Sequence, residues 1–150
     1  MGLNLLSLNS VVKFAEQWNS RSKPALQVLV NNSEILSIKE PQKFSKYGYD
    51  AHMQVNHFAP ALLSILLLPS LLKGSPSRIV NGNSILYSMG YVDTNDLNST
   101  QKKLKYNSSK AYSKSKLAQV MFSSILQKNL PLEAGTSVGC VSHGRVLLKW

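Results

Sequence analysis

The sequence predicts an α/β domain built on a parallel sheet. Three observations predict it. Short apolar, partly β-branched runs of strand length recur at 26–30, 78–81 and 136–141. Long apolar-patterned helical segments separate them, at 49–72 and 111–130. Strand, helix, strand, helix, strand with crossovers of this length is the pattern of parallel βαβ units, whose connections are right-handed.

Each element follows from local chemistry. Val11, Phe14, Ala15 and Trp18 repeat at i, i+3, i+4, i+7, which predicts an amphipathic helix capped by Asn9 or Ser10 and ended before Pro24. Leu26-Gln27-Val28-Leu29-Val30 is the first strand and closes on Asn31-Asn32. The helix at 49–72 ends at Lys73-Gly74, with Pro76 beyond. Residues 93–109 are polar and Lys-rich without apolar period and predict a loop, and Pro131 stops the helix at 111–130. Gly82 and Gly139 weaken the strands they fall in. Met53, Met89 and Met121 are expected to fill the core, Trp18 to pack its helix and Cys140 to behave as a buried small hydrophobe.

The composition narrows the function classes. The 150 residues carry a net charge of +10, from 17 Lys and Arg against 7 Asp and Glu. A basic anion- or nucleic-acid-binding module is one reading of that balance. The densest cluster (Lys102, Lys103, Lys105, Lys110, Lys114, Lys116) holds no Arg, the usual reader of base edges, so no nucleic acid is expected. The single cysteine excludes an internal disulfide. The start lacks the basic region and cleavage site of a secretory signal, so an intracellular setting is expected and the sequons at Asn31, Asn98 and Asn107 carry little meaning. The myristoylation-like opening has Leu6 where Ser or Thr is wanted. The apolar run 58–72 is shorter than the ~20 residues of a membrane span and reads as a buried helix. His52 and His57 lack the carboxylate or cysteine companions of a zinc site, and no metal is expected.

In an open α/β sheet, ligands bind beyond the carboxyl ends of the strands. The residues to inspect are therefore Asn31-Asn32-Ser33, Asn83-Ser84 and Ser142-His143-Gly144. Tyr112 and Lys116 share one helix face, where a cation stabilises a phenolate and makes the tyrosine an acid/base for carbonyl–alcohol chemistry. A Tyr-x-x-x-Lys match alone is weak: chance supplies on the order of one in such a composition, and Tyr106…Lys110 is a second. Context favours Tyr112…Lys116, which leads into Leu117-Ala118-Gln119-Val120-Met121-Phe122.

Five elements in order carry a resemblance: Val28-Leu29-Val30-Asn31-Asn32, Gln54-Val55-Asn56-His57, Arg78-Ile79-Val80-Asn81 with Ser84, Tyr112 to Ala118, and Cys140 to Gly144. Together they resemble the second half of the nucleotide domain of the short-chain dehydrogenase/reductases, in the retinol-dehydrogenase-like branch. The resemblance implies a partial Rossmann-like, doubly wound parallel sheet lacking the first βαβ unit, with residues 1–150 as one incomplete NAD(P)-binding domain.

It also implies roles. Tyr112 moves the proton at the substrate oxygen. Lys116 lowers the tyrosine's pKa and holds the nicotinamide ribose. Ser84 binds the substrate carbonyl, and Asn56 keeps a water in a relay to Lys116. Asn31, Asn32, Lys116 and Gly144 contact the cofactor, NADP or NAD, and a small carbonyl or alcohol is the substrate.

The departures from the family pattern are specific. The Gly-rich turn that cradles the pyrophosphate is not among these residues. Glu34 stands where the family has Gly, a repulsion of about 2 kcal/mol against a phosphate charge at ~8 Å and an effective dielectric near 20. Ser7 stands where an Asp commonly holds the adenine, and His143 where the family has Pro. Impaired activity is therefore expected. The alternative is a non-catalytic remnant acting through protein contacts, as a homo- or heterodimer through the long helices.

Overall fold

The computed structural model describes residues 1–100 and 105–142. Helix α1 (Leu8–Asn19) leads to strand β1 (Val28–Asn31). Helix α2 (Ala51–Lys73) follows, then β2 (Ser77–Asn83), helix α3 (Ser108–Asn129) and β3 (Thr136–Ser142). Short 3-10 turns occupy Ile85–Met89 and Leu132–Ala134. The sheet order is β1-β2-β3 and both pairings are parallel, so the predicted architecture holds. The register sets Asn31, Asn81 and Cys140 side by side across it.

Local chemistry explains the ends of the elements. Ser7, not Asn9 or Ser10, caps α1: its hydroxyl accepts the Ser10 N–H, so the helix starts earlier than expected. Asp50 caps α2 by accepting the N–H groups of His52 and Met53, and Gln42 donates to its second oxygen. Asn107 caps α3, accepting the Lys110 N–H, so this helix takes in Ser108 and Ser109, the last residues of the expected loop.

α2 is not a uniform helix. It opens as an α-turn, widens to a π-helical stretch at Gln54–Phe58 and resumes at Ala59. Such widenings displace side chains from the regular 3.6 period. The main apolar core joins Val11 and Ala15 of α1 to Ala59, Leu63 and Leu67 of α2, with Trp18 and Leu29 packed against it. By length and hydropathy α2 would also suit a membrane span, yet half of that window is buried within the protein. Three of its buried polar side chains bond to the protein, Gln54 donating to Leu5 O, Asn56 to Ile35 O and Ser64 to Pro60 O, while the buried Nδ1 of His57 has no partner among the described residues. Those bonds mark it as a core helix.

Three expected core residues are not in it. Met53 is buried, but Met89 and Met121 are exposed and Cys140 only half-buried. Met89 ends a surface turn and Met121 lies on the outer side of α3, where helical period outweighs residue type.

Asp50 is the residue whose loss should cost the fold most simply. Burial opposes its charge, but hydrogen bonds from His52 and Gln42 and the nearby imidazole outweigh it, and its pKa lies below the ordinary 3.8. Stability from this group is therefore complete above the unfolded value and is lost as pH falls through the lower folded one. Asp50→Ala should destabilise the chain by about 1–2 kcal/mol, as removal of an N-cap does, and should weaken its acid dependence below pH ~4. Urea melts at neutral and acid pH check both.

Candidate active site

The sheet's carboxyl end and the first turns of α3 build one site. Tyr112 and Lys116 stand on the same face of α3 and are 3% and 1% exposed. The Lys116 ammonium lies 5.6 Å from the centre of the Tyr112 ring and donates to Gly82 O at 3.0 Å. Gly82 serves this geometry by its bareness. A Cβ there would sit 3.3 Å from Asn31 O and 3.4 Å from Asn32, so glycine lets the end of β1 close on β2 beside the lysine.

Several bonds fix the helix that carries the pair. Asn83 donates to Lys116 O and to the Gln119 side chain. Ser115 donates to Tyr112 O, and Asn56 donates to Ser115 Oγ. Gly90 lets the segment after β2 press onto α3, since a Cβ would lie 2.5 Å from Ser113 O.

Ser84 follows β2 directly. Its N–H donates to Asn83 Oδ1, its hydroxyl caps the turn at Ile85–Met89, and the same hydroxyl lies against the Tyr112 phenol, favouring its anion. Ser84, Tyr112 and Lys116 therefore converge.

Glu34 completes the cluster. The Tyr112 hydroxyl donates to Glu34 Oε1 at 3.0 Å, and the Lys116 ammonium forms an ion pair with Glu34 Oε2. The resemblance led to the expectation that Lys116 would lower the tyrosine's pKa. The structure reverses this. Burial first, then the Glu34 charge, push the Tyr112 phenol up to about 12, against the favourable contact with Ser84. The lysine's charge is engaged by the carboxylate, and the phenol faces an anion.

The other expected site residues make contacts of their own or lie outside the described residues. Asn31 points into the covered side of the sheet, donating to Ser64 Oγ and Asn81 Oδ1. The Asn56 side chain accepts the Ile35 N–H and donates to Ile35 O and Ser115, tying the loop after β1 to α2 and α3. Ser7 is a helix cap and has no place in the cluster. Asn32 borders Gly82. Gly144, with His143, lies outside the described residues. Sequence reasoning missed Ser115 and Asn83 as supports, and took Glu34 only as a repulsive charge. The position of Glu34, three residues beyond the end of β1, was visible, but that it meets Tyr112 and Lys116 shows only in the fold.

The comparisons bear on the family and the fold. No family model matches the sequence. The chain is 59% identical over 147 residues to the dehydrogenase/reductase SDR family member FEY of Arabidopsis thaliana, covering 98% of this chain and 39% of that protein. It is 40% identical to human retinol dehydrogenase 14 over 136 residues, 91% of this chain and 38% of the relative. Among solved structures, an uncharacterised protein from Mycobacterium paratuberculosis superposes with a TM-score of 0.75 at 32% identity, over 93% of this chain and 47% of that one. A metagenomic short-chain oxidoreductase in complex with NADP shares the fold, with a TM-score of 0.70 at 21% identity, over 97% of this chain and 58% of that one. The chain belongs to the short-chain dehydrogenase/reductase family of oxidoreductases, and retinol dehydrogenases are among its relatives. It spans about two fifths of the length of the curated relatives it matches.

The phenol's position has a measurable consequence. Tyr112 should stay protonated until about pH 12, whereas an unperturbed tyrosine ionises near pH ~10. A raised folded pKa gives stability that is complete below the unfolded value and lost as pH climbs through the folded one. Subtracting the alkaline absorbance titration of Tyr112→Phe from that of the parent chain isolates this step.

Proposed function

We propose that this chain carries the proton-handling half of an NAD(P)-dependent carbonyl/alcohol oxidoreductase, in a form with impaired activity. The observation that carries the reading is the meeting of Ser84, Tyr112 and Lys116 at the carboxyl end of a parallel sheet. In this reading residues 1–150 are one incomplete dinucleotide-binding domain. The nicotinamide dinucleotide would supply the hydride.

The residues as arranged do not fit that cofactor. Lys116, the residue assigned to its ribose, is ion-paired to Glu34 and bonded to Gly82 O, and Asn31 faces away. No hydride step is therefore derived. What the chain's own residues do is hold a proton: Tyr112 keeps it at the phenol oxygen, Ser84 orients that oxygen, and Lys116 lends positive charge from the same helix face. Asn83, Ser115 and Asn56 keep the helix in register.

A second reading is a non-catalytic contact protein. Ile65 with Leu72 on α2, and Met121 with Ile125 on α3, are exposed apolar pairs at helical spacing, and they support pairing through the long helices. A concentration-dependent dimer by sedimentation, lost on Ile125→Lys, would favour it.

For the enzyme reading the expectation is definite. Titration with NADPH and NADH by fluorescence should give no saturable binding in the micromolar range. With excess NADPH and a small aldehyde, turnover should be slow and should fall by about 10²–10⁴-fold in Tyr112→Phe, the usual worth of general acid catalysis. Micromolar binding abolished by Lys116→Ala would refute the weak-binding expectation and restore the reading of a working enzyme. Turnover indifferent to Tyr112 would refute the assignment of the site.

A further inference from the structure

The loop between β1 and α2 does more than connect them. It leaves β1 at Asn31, and within three residues it delivers a carboxylate onto both functional groups of the helix opposite. One oxygen of Glu34 accepts the Tyr112 hydroxyl; the other pairs with the Lys116 ammonium. The loop is then tied down by Asn56, which holds Ile35 through both its N–H and its carbonyl. His52 accepts the Ser37 N–H a turn further along. The carboxylate is thus held in place from behind. Lys116 is 1% exposed, whereas the Glu34 side chain is 31% exposed. The carboxylate therefore plugs the solvent side of a buried cation.

We propose that Glu34 is an internal carboxylate lock: it occupies the anion-binding position formed by Tyr112 and Lys116 and closes it to an external ligand. This deepens the reading above, since the excluded ligand there is the nicotinamide dinucleotide. The lock itself stands on the contacts of Glu34 alone.

The chemistry is that of competition. A buried ammonium needs a counter-charge, and Glu34 supplies it within the chain. An incoming ligand must displace that carboxylate or leave it stranded beside its own negative charges. The carboxylate also keeps the proton on Tyr112, because ionising the phenol would set two anions against each other. One group thus blocks binding and holds the acid/base in its protonated form. Replacing it with an uncharged side chain should free both.

Glu34→Gln tests the lock in the full chain. The Tyr112 phenol midpoint, read by alkaline absorbance against the matching Tyr112→Phe variant, should fall from about 12. NADPH binding by fluorescence should tighten roughly tenfold or more, the scale of removing one nearby like charge. In Glu34→Gly, added formate should raise the midpoint again by taking the vacated position. Because Glu34→Gln leaves a buried cation unpaired, the comparison is repeated in a Lys116→Met background, where the same replacement must again lower the midpoint. A midpoint unchanged by Glu34→Gln in both backgrounds overturns the lock, whatever NADPH does. A lowered midpoint with no NADPH binding supports the lock and counts against the cofactor reading of the site.

Discussion

The buried ammonium of Lys116 is the constraint on which the site depends. A charge at 1% exposure must be paired and hydrogen-bonded, because leaving it alone costs about 3–5 kcal/mol once its partner is gone. The fold satisfies it from three directions. The glycine at position 82 exposes a carbonyl, the helix presents a tyrosine face, and the loop after β1 brings a carboxylate. Each requires a different element to be in register. The lysine therefore reports on the packing of β1, β2 and α3 at once, and the loop bearing Glu34 belongs to the site.

The covered face of the sheet is more polar than parallel sheets usually are. Asn31, Asn81 and Cys140 lie in register, and a chain of bonds runs from Asn31 to Asn81, from Asn81 to Ser123, and from Cys140 to Ser123, which in turn donates to Gln119 O. Two strand positions further on, Asn83 donates to Lys116 O. These polar groups are satisfied by one another, which is the condition for burying them. They also fix the rotation of α3 about its axis more tightly than apolar packing would. That rotation decides whether Tyr112 faces the sheet end or solvent.

Both long helices cover the same face of the sheet: Asn31 bonds to Ser64 of α2 and Asn81 to Ser123 of α3. Consecutive crossovers of one hand have this result. Val28, Val30 and Val141 point the other way by strand parity and are more than half exposed. Such apolar side chains, on a sheet whose β1 is an edge strand, are the kind of surface that invites pairing.

Much of the architecture was legible in the residues alone. Three β-branched runs and two long helical segments of the right length specify parallel crossovers, because hydrophobic period and strand length are local properties. Tyr112 and Lys116 were legible for the same reason: a four-residue spacing on a helix defines a shared face. Boundaries shifted where side chains decide them, as with Ser7, whose capping bond depends on the turn it enters. What only the tertiary structure decided is the pairing of groups far apart in the chain. Glu34 and Tyr112 are separated by 78 positions, and nothing in the local pattern says which of the few acids will meet the buried cation. That meeting sets the direction of the tyrosine's pKa, upward where spacing and resemblance implied downward. Proximity in the folded chain, and the low exposure that strengthens every charge within it, determined the state of the site.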